Sequence, residues 1–501
     1  MPQTGTQTQV KVRPLSLTPT YNETIVVLES PNIQSKNFKW IVDIYKGEST
    51  EADYKLLSTI VILPNPEGYG VIDFHRHIEN NISTSFYPAD VDKISNKVTN
   101  EGLKWTYEVK EQFSNTVWAF ENNYTTAGTF VGWTSSTDKH PYIVGDVINI
   151  VQSAGATHSS YDGQATVTVV VDEYTVLTDK AYVSSTPTAE GGVSNLVDTN
   201  SRTIEQVIIS PTNLVYSFNG ALTFQDFRNW DPFNYRMSNT SSSSTKFLLD
   251  GLNTFDVTLS DRVWINNFMD TTYFRGLKIE TDNGVFTVEQ TFNPTGQHFI
   301  NQNKIGAKDI LESSDTFLTV SGSLPIVDLN TTFIKITPLD ALLTTAVGET
   351  VTLNVKEECS KYEAIRFFYM DKLGSYLPIT FNKVSKKNIT NTRSNYKQNY
   401  GSYDSVSNVW GYTTYDRGTT TYDLTTKEVI TCTSEWITED ASKMVIAMLN
   451  SPNVYIQSSI GEYIAINITT NSYEDKKTVN EKLINYTISF EHANTNTNQR
   501  G

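Results

Sequence analysis

Two runs of aromatic and β-branched residues near the C-terminus predict a pair of β-strands around which the last domain is organised. The runs, Ala364–Met370 and Ser375–Phe381, flank the short turn Asp371–Gly374, where the glycine can adopt the positive φ that a tight turn needs. Apolar and polar residues alternate again in residues 486–490, close to the end of the chain. The pattern therefore predicts a C-terminal sheet that contains these segments.

Closely spaced apolar runs also fill the N-terminal part of the chain. In Phe38–Tyr45 the apolar side chains recur at every second position, which is the period of a strand. The predicted strands are Thr24–Ser30, Phe38–Tyr45, Lys55–Leu63 and Tyr69–Ile78. Their spacing predicts an antiparallel β-sandwich, fibronectin- or immunoglobulin-like, over residues 21–98. Residues 1–20 are rich in Thr, Gln and Pro and predict an extended N-terminal arm that is ordered only against a neighbour.

The middle of the chain predicts two further β domains. Residues 99–255 have the strand rhythm of a second sandwich, interrupted at about 138–185 by a pattern typical of an inserted SH3- or OB-like barrel. Residues 256–355 predict a third β domain, in which Asp282-Asn283-Gly284 between two alternating runs indicates a hairpin. The Ser-rich segment Ser238–Thr245 predicts a flexible loop.

The C-terminal domain, residues 356–501, combines a predicted sheet with a long loop and one helix. Asn388–Thr421 is rich in Asn, Tyr and Gly and weakly periodic, so we expect a loop that projects from the sheet. Thr438–Asn450 predicts a helix, because its apolar residues fall on one side and Thr438 suits an N-cap. The expected fold class is mainly β: several small antiparallel β-sandwich domains, fibronectin- or immunoglobulin-like, with an inserted SH3- or OB-like barrel and one short C-terminal helix.

The composition narrows the class of protein. A chain of 501 residues is too long for one ordinary core, and no apolar run approaches the roughly 20 residues of a transmembrane helix. The formal net charge of −16 argues against general nucleic-acid binding. The polar N-terminus lacks the apolar segment of a secretory signal. Cys359 and Cys432 exclude a disulfide scaffold and a four-cysteine zinc site, and two buried thiols are expected rather than one bridge.

Motifs of the common catalytic classes are absent from the sequence. It contains no G-x-S-x-G elbow, P-loop, H-E-x-x-H helix or dinucleotide fingerprint. The acidic pairs Asp172-Glu173 and Glu357-Glu358 fall on adjacent positions, which point to opposite faces of a strand. Neither pair therefore forms a glycosidase site by itself. No catalytic residue and no cofactor are predicted.

One segment carries residue types that bind metals. Asp73, His75, His77 and Glu79 would share one face of a strand, and histidines two positions apart can hold one metal ion. A solvated strand face explains the same pattern, and we expect that instead. No metal site is predicted.

The strongest candidate for function is the aromatic content of the predicted loop. Tyrosine and tryptophan supply contact area at a low entropic cost, which makes loops rich in Tyr, Ser, Gly and Asn good recognition surfaces. The candidate subunit-interface residues are Tyr396, Tyr400, Tyr403, Trp410, Tyr412, Tyr415 and Tyr422. Glycan stacking in a receptor binder and a merely solvated loop remain as alternatives.

Segments at both ends of the chain resemble a known family. They are FFYMDKLGSYLPITF, TSEWITEDASKMVIAMLNSPNVYI, YEDKKTVNEKLINYTISFEHANTNTNQRG, FKWIVDIYKG and YKLLSTIVILPNPEGYGVIDF. These segments are similar to domains of virion tail and neck proteins of tailed phages, and look most like those of crAss-like phages and relatives that infect Bacteroidetes. The resemblance covers about 200 residues at the two ends and leaves the middle of the chain without a counterpart.

The resemblance implies a structural subunit of a virion tail or neck, made in the cytoplasm of a host bacterium. Such a subunit would form a homo-oligomeric ring and contact neighbouring tail, portal or neck proteins, with no membrane and no specific nucleic-acid binding, although a genome could pass through the ring lumen. A mosaic of small β domains suits this role, because arms and loops can clasp ring neighbours. The alternatives are a receptor- or glycan-binding tail protein and, less favoured, a tail-associated glycan hydrolase.

Overall fold

A computed structural model of the chain describes most of its residues, and the protein divides into two compact units. The first unit comprises 1–82, 103–217 and 295–297, and the second comprises 83–102, 218–294 and 298–501. The described residues are 8–47, 54–84, 86, 95–98, 102–125, 130–136, 138–152, 161–181, 191–197, 202–209, 214–236, 245–250, 252–268, 274–290, 300–306, 318–321, 326–357, 361–458, 462–470, 472, 483–494 and 498–499.

The regular elements, numbered along the chain, are mostly strands. The first part contains β1 Gln9–Val12, β2 Leu17–Pro19, β3 Ile25–Glu29, β4 Lys36–Lys46, β5 Lys55–Ile62, β6 Tyr69–Asp73, α1 His75–Ile78, β7 Ser95–Val98, β8 Gly102–Asn115, β9 Val117–Phe120, β10 Asn122–Thr125, β11 Phe130–Thr134, β12 Val147–Gln152, β13 Gly163–Asp172, β14 Thr175–Ala181, β15 Gly192–Leu196, β16 Arg202–Ile209 and β17 Val215–Phe218. The second part contains α2 Phe224–Arg228, β18 Thr254–Thr258, β19 Arg262–Phe268, β20 Gly276–Thr281, β21 Gly284–Gln290, β22 Ile300–Gly306, β23 Leu318–Ser321, β24 Phe333–Leu339, β25 Val351–Lys356, β26 Ile365–Met370, β27 Tyr376–Phe381, β28 Lys386–Lys397, β29 Ser402–Asp404, β30 Val409–Gly411, β31 Thr419–Thr433, β32 Ile437–Thr438, α3 Glu439–Leu449, β33 Val454–Gln457, β34 Tyr463–Ile468, β35 Leu483–Ile484, β36 Thr487–His492 and β37 Asn498–Gln499.

In the first unit, two sheets enclose one apolar core. One sheet has the order β1-β3-β6, and the other has the order β2-β17-β8-β4-β5, with β16 also paired to β8. Trp40, Val42 and Ile44 of β4 are completely buried. They join one cluster with Val26 and Leu28 of β3. The predicted strands Thr24–Ser30, Phe38–Tyr45 and Lys55–Leu63 are therefore confirmed, whereas Tyr69–Ile78 is a strand only as far as Asp73 and continues as α1.

The described part of the N-terminal segment, residues 8–20, forms strands within the chain itself. The expectation that this segment is ordered only against a neighbour is therefore wrong for these residues. β1 pairs antiparallel with β3, and β2 belongs to the larger sheet. Thr18 and Thr20 are buried although polar. Residues 1–7 lie outside the described part of the chain.

Between β8 and β16, which pair with each other, the chain forms a separate sheet. Its seven strands have the order β10-β11-β14-β13-β12-β15-β9. It has its own core, in which Trp118, Trp133, Ile148, Ile150 and Val176 are buried. The inserted β structure expected in this region is thus an antiparallel sheet of seven strands. The predicted domain boundaries, including 138–185 for the insertion, stay predictions.

In the second unit, a six-stranded sheet has the order β18-β25-β24-β20-β21-β23. The hairpin predicted at Asp282-Asn283-Gly284 is confirmed, since Thr281 pairs with Gly284 and the glycine has φ +136°. At the other side of the sheet β18 runs parallel to β25, whereas the sequence predicted antiparallel pairing. Among the described strands, β18 lies at one edge of this sheet.

The other large sheet of the second unit contains the strand pair predicted at the outset. Its order is β28-β31-β36-β34-β33-β26-β27-β19-β22-β7, with β37 also paired to β31. β26 and β27 pair from Ile365–Phe381 to Met370–Tyr376, and Gly374 in the turn has φ +90°. Ile488 and Phe490 of β36 are buried in the same core. The predicted C-terminal sheet is confirmed.

The predicted C-terminal helix is α3. Thr438 is its N-cap, and the Thr438 hydroxyl accepts a hydrogen bond from the Ala441 amide at 3.2 Å. Met444, Val445 and Met448 are buried in the core of the large sheet. No helix in the described part of the chain has the length and apolarity to cross a membrane.

Candidate interaction surface

The segment predicted as an irregular loop is a long two-stranded ribbon, so the prediction of a loop is wrong. β28 and β31 pair antiparallel from Lys386–Thr431 to Lys397–Thr419. The twelve residues of β28 span about 40 Å at the usual rise of a strand. We call residues 386–433 the arm.

The local sequence explains why the arm is a ribbon without a core. Thr and Asn dominate both strands, and their side chains bond across the pair instead of packing inward. The Thr426 hydroxyl donates to the Asn391 side-chain carbonyl at 2.8 Å, and Lys387 pairs with Glu428 at 2.6 Å. Both faces of β28 are exposed along almost its whole length. β36 and β37 also pair with β31, and beyond these contacts the arm is a two-stranded ribbon. A two-stranded ribbon alone is marginally stable, so a docked partner would stabilise the arm.

The arm ends in a compact tip, residues 398–418. Its small hairpin pairs Tyr403 with Trp410, and the Trp410 indole donates to the carbonyl of Tyr400 at 3.0 Å. Gly401 has φ +94°, and a Cβ there would meet the carbonyl oxygen of Gly411 at 2.5 Å. Hydrogen bonds from Ser407 and Val406 lower the pKa of Asp404 and fix the turn between the two short strands. The tip is therefore held in one defined conformation by its own hydrogen bonds.

All seven candidate interface residues lie on the arm, and all of them are exposed, as the sequence suggested. Tyr415 is the most exposed, at 81%. Tyr400 and Tyr412 pack against each other at the tip with ring centroids 5.4 Å apart. Tyr396 and Tyr422 pair further down the ribbon. The structure thus gathers these residues on one projecting element, while their role as an interface stays a prediction.

The charge of the arm is opposite to that of the chain. The arm contains six basic and four acidic residues, whereas the whole chain carries a formal net charge of −16. The excess is concentrated on β28, which has Lys386, Lys387, Arg393 and Lys397 and no acidic residue. A cationic arm on an acidic protein favours contact with an acidic surface.

A cleft of about 620 Å³, not anticipated from the sequence, opens beside the root of the arm. It is lined by β18, by residues 378–382 of the β27 segment and by residues 434–438. Carboxylates line it at Asp256, Asp261, Glu357, Glu435 and Asp440, and Lys356 is a lysine among the lining residues. The lining residues come from distant parts of the sequence, so no local motif could have indicated the cleft.

Two features distinguish this cleft from an ordinary surface depression. Trp436 lies on its wall with 57% of its surface exposed, and the apolar residues Ile379 and Met444 also belong to the lining. Asp261 is fully buried, and burial raises the pKa of its carboxyl above the usual value although the Thr258 amide donates to it. The cleft therefore combines an exposed aromatic side chain with a buried carboxyl group.

The segment considered for a metal does not form one strand face, so that interpretation is wrong. β6 ends at Asp73 and α1 begins at His75, with Phe74 buried. The Asp73 carboxylate accepts hydrogen bonds from the Thr24 amide at 2.9 Å and from His75. Burial opposes ionisation of Asp73, but these bonds outweigh it and lower the pKa. The described residues contain no group of three or more side chains that could hold a metal ion.

Of the acidic pairs and the cysteines, the structure describes Asp172, Glu173, Glu357 and Cys432. Glu173 forms an ion pair with Lys139 at 2.6 Å, and the neighbouring Asp172 accepts from the Tyr174 amide. Cys432 is a buried free thiol, and burial raises its pKa to about 12. Glu358 and Cys359 lie outside the described residues.

Comparison with known proteins does not assign this chain to a family. No family model and no curated protein matches it. Among solved structures, it is similar to an endosialidase of phage phi92 at 11% identity with a TM-score of 0.15, over 96% of this chain and 69% of the other. Values this low do not establish a shared fold.

Proposed function

We propose that this protein is a structural subunit of a tailed-phage virion, a homo-oligomeric ring protein of the tail barrel or neck. It acts through protein–protein contacts, to copies of itself and to neighbouring tail, portal or neck proteins. The proposal includes no catalytic activity and no cofactor. The phage assignment rests on the sequence segments that resemble tail and neck proteins of crAss-like phages.

The arm is the observation that supports an assembly role most directly. It exposes seven aromatic side chains on a ribbon without a core of its own. Exposed Tyr and Trp clusters are typical of interfaces, where they become buried on association. Because the tip is fixed by its own hydrogen bonds, binding would immobilise few additional groups and would keep most of the contact energy.

The assembly state of the purified protein tests this proposal. We expect light scattering to give the mass of a closed multimer and negative-stain images to show rings. In a shortened variant, Asn-Gly replaces residues 398–418 between Lys397 and Thr419, which pair directly. We expect this variant to stay folded and to associate more weakly, because it loses five of the seven exposed aromatic side chains while it keeps β28. Rings formed equally well by the shortened variant would contradict the role of the tip, and a wild-type protein that is monomeric alone and with neck proteins would contradict the whole proposal.

A receptor- or glycan-binding tail protein is the second candidate, favoured by the exposed Tyr400–Tyr412 pair and Trp410 at the tip. Aromatic faces of this kind stack on sugars as well as on protein. The two candidates differ in stoichiometry and in the partner of the tip. A trimer that binds host-cell glycans, with binding lost in the shortened variant, would favour this second function.

A further inference from the structure

The outer edge of the arm is an open, cationic strand edge. β28 is the end strand of its sheet and pairs with β31. Lys387 is engaged by Glu428, but Lys386, Arg393 and Lys397 form no ion pair within the described residues. Lysine on an edge strand commonly prevents indiscriminate pairing, and it also selects an acidic partner.

A second strand edge, that of β18, lies at the cleft beside the arm root, and acidic residues surround it. Among the described strands, β18 pairs only with β25, and all five of its residues belong to the lining of the cleft. Phe255 and Val257 point into the core, whereas Thr254 and Asp256 are exposed. A five-residue strand of this kind is a usual length for strand addition by an extended segment.

The charges around β18 complement those of β28. Three of the five lining carboxylates form ion pairs with lysines, namely Asp256 with Lys356, Glu435 with Lys383 and Asp440 with Lys443. Asp261 lies 3.9 Å from Arg366, so the cleft keeps an excess of one acidic group over the neighbouring basic groups. Exposed apolar area at Trp436 offers a contact for the aromatic side chains that flank β28. Complementary charge sets the partner and the register of an interface, while apolar contact supplies the affinity.

We propose that β28 of one copy adds to β18 of a second copy, so that the cationic arm lies in the acidic cleft of its neighbour. This inference rests on the proposed self-assembly and names the surface that carries it. The occupant of the cleft is thus a second copy of this chain, and not a free sugar or an unrelated peptide.

The position of the cleft explains why such a contact would propagate. β31 ends at Thr433, and the next residues, 434–438, line the cleft. Each copy therefore carries both parts of the contact: the cleft with β18 at the root of the arm, and β28 along the arm. Such head-to-tail contacts close into a ring when the rotation between copies allows it. Two β28 edges would instead oppose like charges, which disfavours a symmetric dimer through the arms.

A charge-swap experiment on the full-length protein tests the contact. The arm variant carries Lys386→Glu, Arg393→Glu and Lys397→Glu, and the cleft variant carries Asp256→Lys, Glu357→Lys and Glu435→Lys. Each variant alone opposes like charges, so we expect self-association to weaken on the order of 100-fold. Mixed in equal amounts, each arm meets a cleft of opposite charge, and we expect sedimentation velocity to show alternating assemblies.

The controls separate a lost contact from a lost fold. Circular dichroism and thermal unfolding show whether each variant is folded. Leu56→Lys with Val61→Lys changes another edge strand, β5, whose side chains are also exposed at these positions. We expect this β5 variant to assemble like the wild-type protein. Should the β5 variant lose assembly while both charge variants keep it, the proposed contact is wrong.

A cross-link provides a second measurement that does not depend on charge. One copy carries Asp256→Cys and another carries Arg393→Cys or Lys397→Cys, both with Cys359→Ser. We expect an oxidised heterodimer from the mixture. Assembly of the wild-type protein without cross-linking and without charge-swap rescue would overturn this inference and leave the ring proposal standing. A wild-type protein that does not associate at all would overturn both.

Discussion

Tyr396 and Tyr422 pack against each other from the two strands of the arm, with ring centroids 6.1 Å apart, although about half of each side chain is exposed. The pairing shifts register between Ser394 and Asn395, which leaves Tyr422 as the extra residue of a bulge in β31. A bulge turns the strand locally and re-aims its side chain. The two rings thus form one aromatic patch on an otherwise polar ribbon.

We expect Tyr396→Ser with Tyr422→Ser to weaken self-association more than tenfold, because exposed aromatic pairs are typical interface anchors. The free energy of unfolding should change by less than about 1 kcal/mol, since neither ring is buried in a core. Light scattering over a concentration series measures the first quantity, and urea unfolding measures the second. Tyr21→Ser, at a similarly exposed tyrosine of the first unit, is the matched control. Equal effects of the two changes on association would contradict a special role for the arm.

Gly401 holds the tip in a conformation that other residues adopt poorly. Gly401→Ala introduces a Cβ at φ +94°, against the Gly411 carbonyl and the Trp410 indole. We expect faster hydrogen exchange across residues 398–418 and weaker assembly, with the core unaffected. Gly411→Ala is the control, because the nearest atom to its added Cβ lies 3.9 Å away. A tip that is equally protected in both variants would show that the turn at Gly401 tolerates a side chain.

The arm illustrates which features the sequence could not predict. The β26–β27 pair was predictable because the turn residues and the apolar alternation agree, and one face of each strand is buried. β28 has no buried face, so polar residues occupy both sides and the period of two disappears. The same absence of a period made residues 388–421 resemble a loop.

The cleft beside the arm root could not be predicted from the sequence for a different reason. Its walls combine β18, β27 and the start of α3, which are far apart in the sequence and meet only in the folded sheets. Trp436 is exposed there, yet its local sequence resembles any short connection before a helix. The aromatic residues of the arm could be identified because they cluster along the chain, whereas their proposed acceptor is a product of tertiary structure.

Asp371 fixes the turn between β26 and β27 from a completely buried position. Its carboxyl accepts hydrogen bonds from the amides of Asp250, Leu373 and Ser375, each at 2.9 Å. Asp371→Ala leaves three buried donors unpaired, and we expect a loss of about 3 kcal/mol or more in the free energy of unfolding. Asp404→Ala is the matched control, because Asp404 makes a similar turn in the exposed tip. Denaturant unfolding measures both changes. A similarly small loss of unfolding free energy in both variants would mean that water binds the three amide donors when the Asp371 carboxyl is absent.

The same carboxyl should make the stability of the second unit depend on pH. Burial, together with the nearby charge of Asp250, raises the pKa of Asp371 to about 7, although the three amide donors favour its ionised form. Because this pKa lies above the ordinary value of 3.8, protonation favours the folded state. The contribution is complete below about pH 4 and is lost as the pH rises through about 7.

Asp371→Asn keeps the shape of the side chain and removes its titration, so it isolates this contribution. We expect the difference in unfolding free energy between the wild-type protein and Asp371→Asn to fall between about pH 4 and pH 7 and to level off above it. Denaturant unfolding at half-unit pH steps measures this difference. A difference that is flat from pH 4 to pH 7 and falls as the pH drops below about 4 would mean that the amides of Asp250, Leu373 and Ser375 outweigh burial and hold Asp371 ionised. Parallel curves would mean that Asp371 does not titrate between these limits.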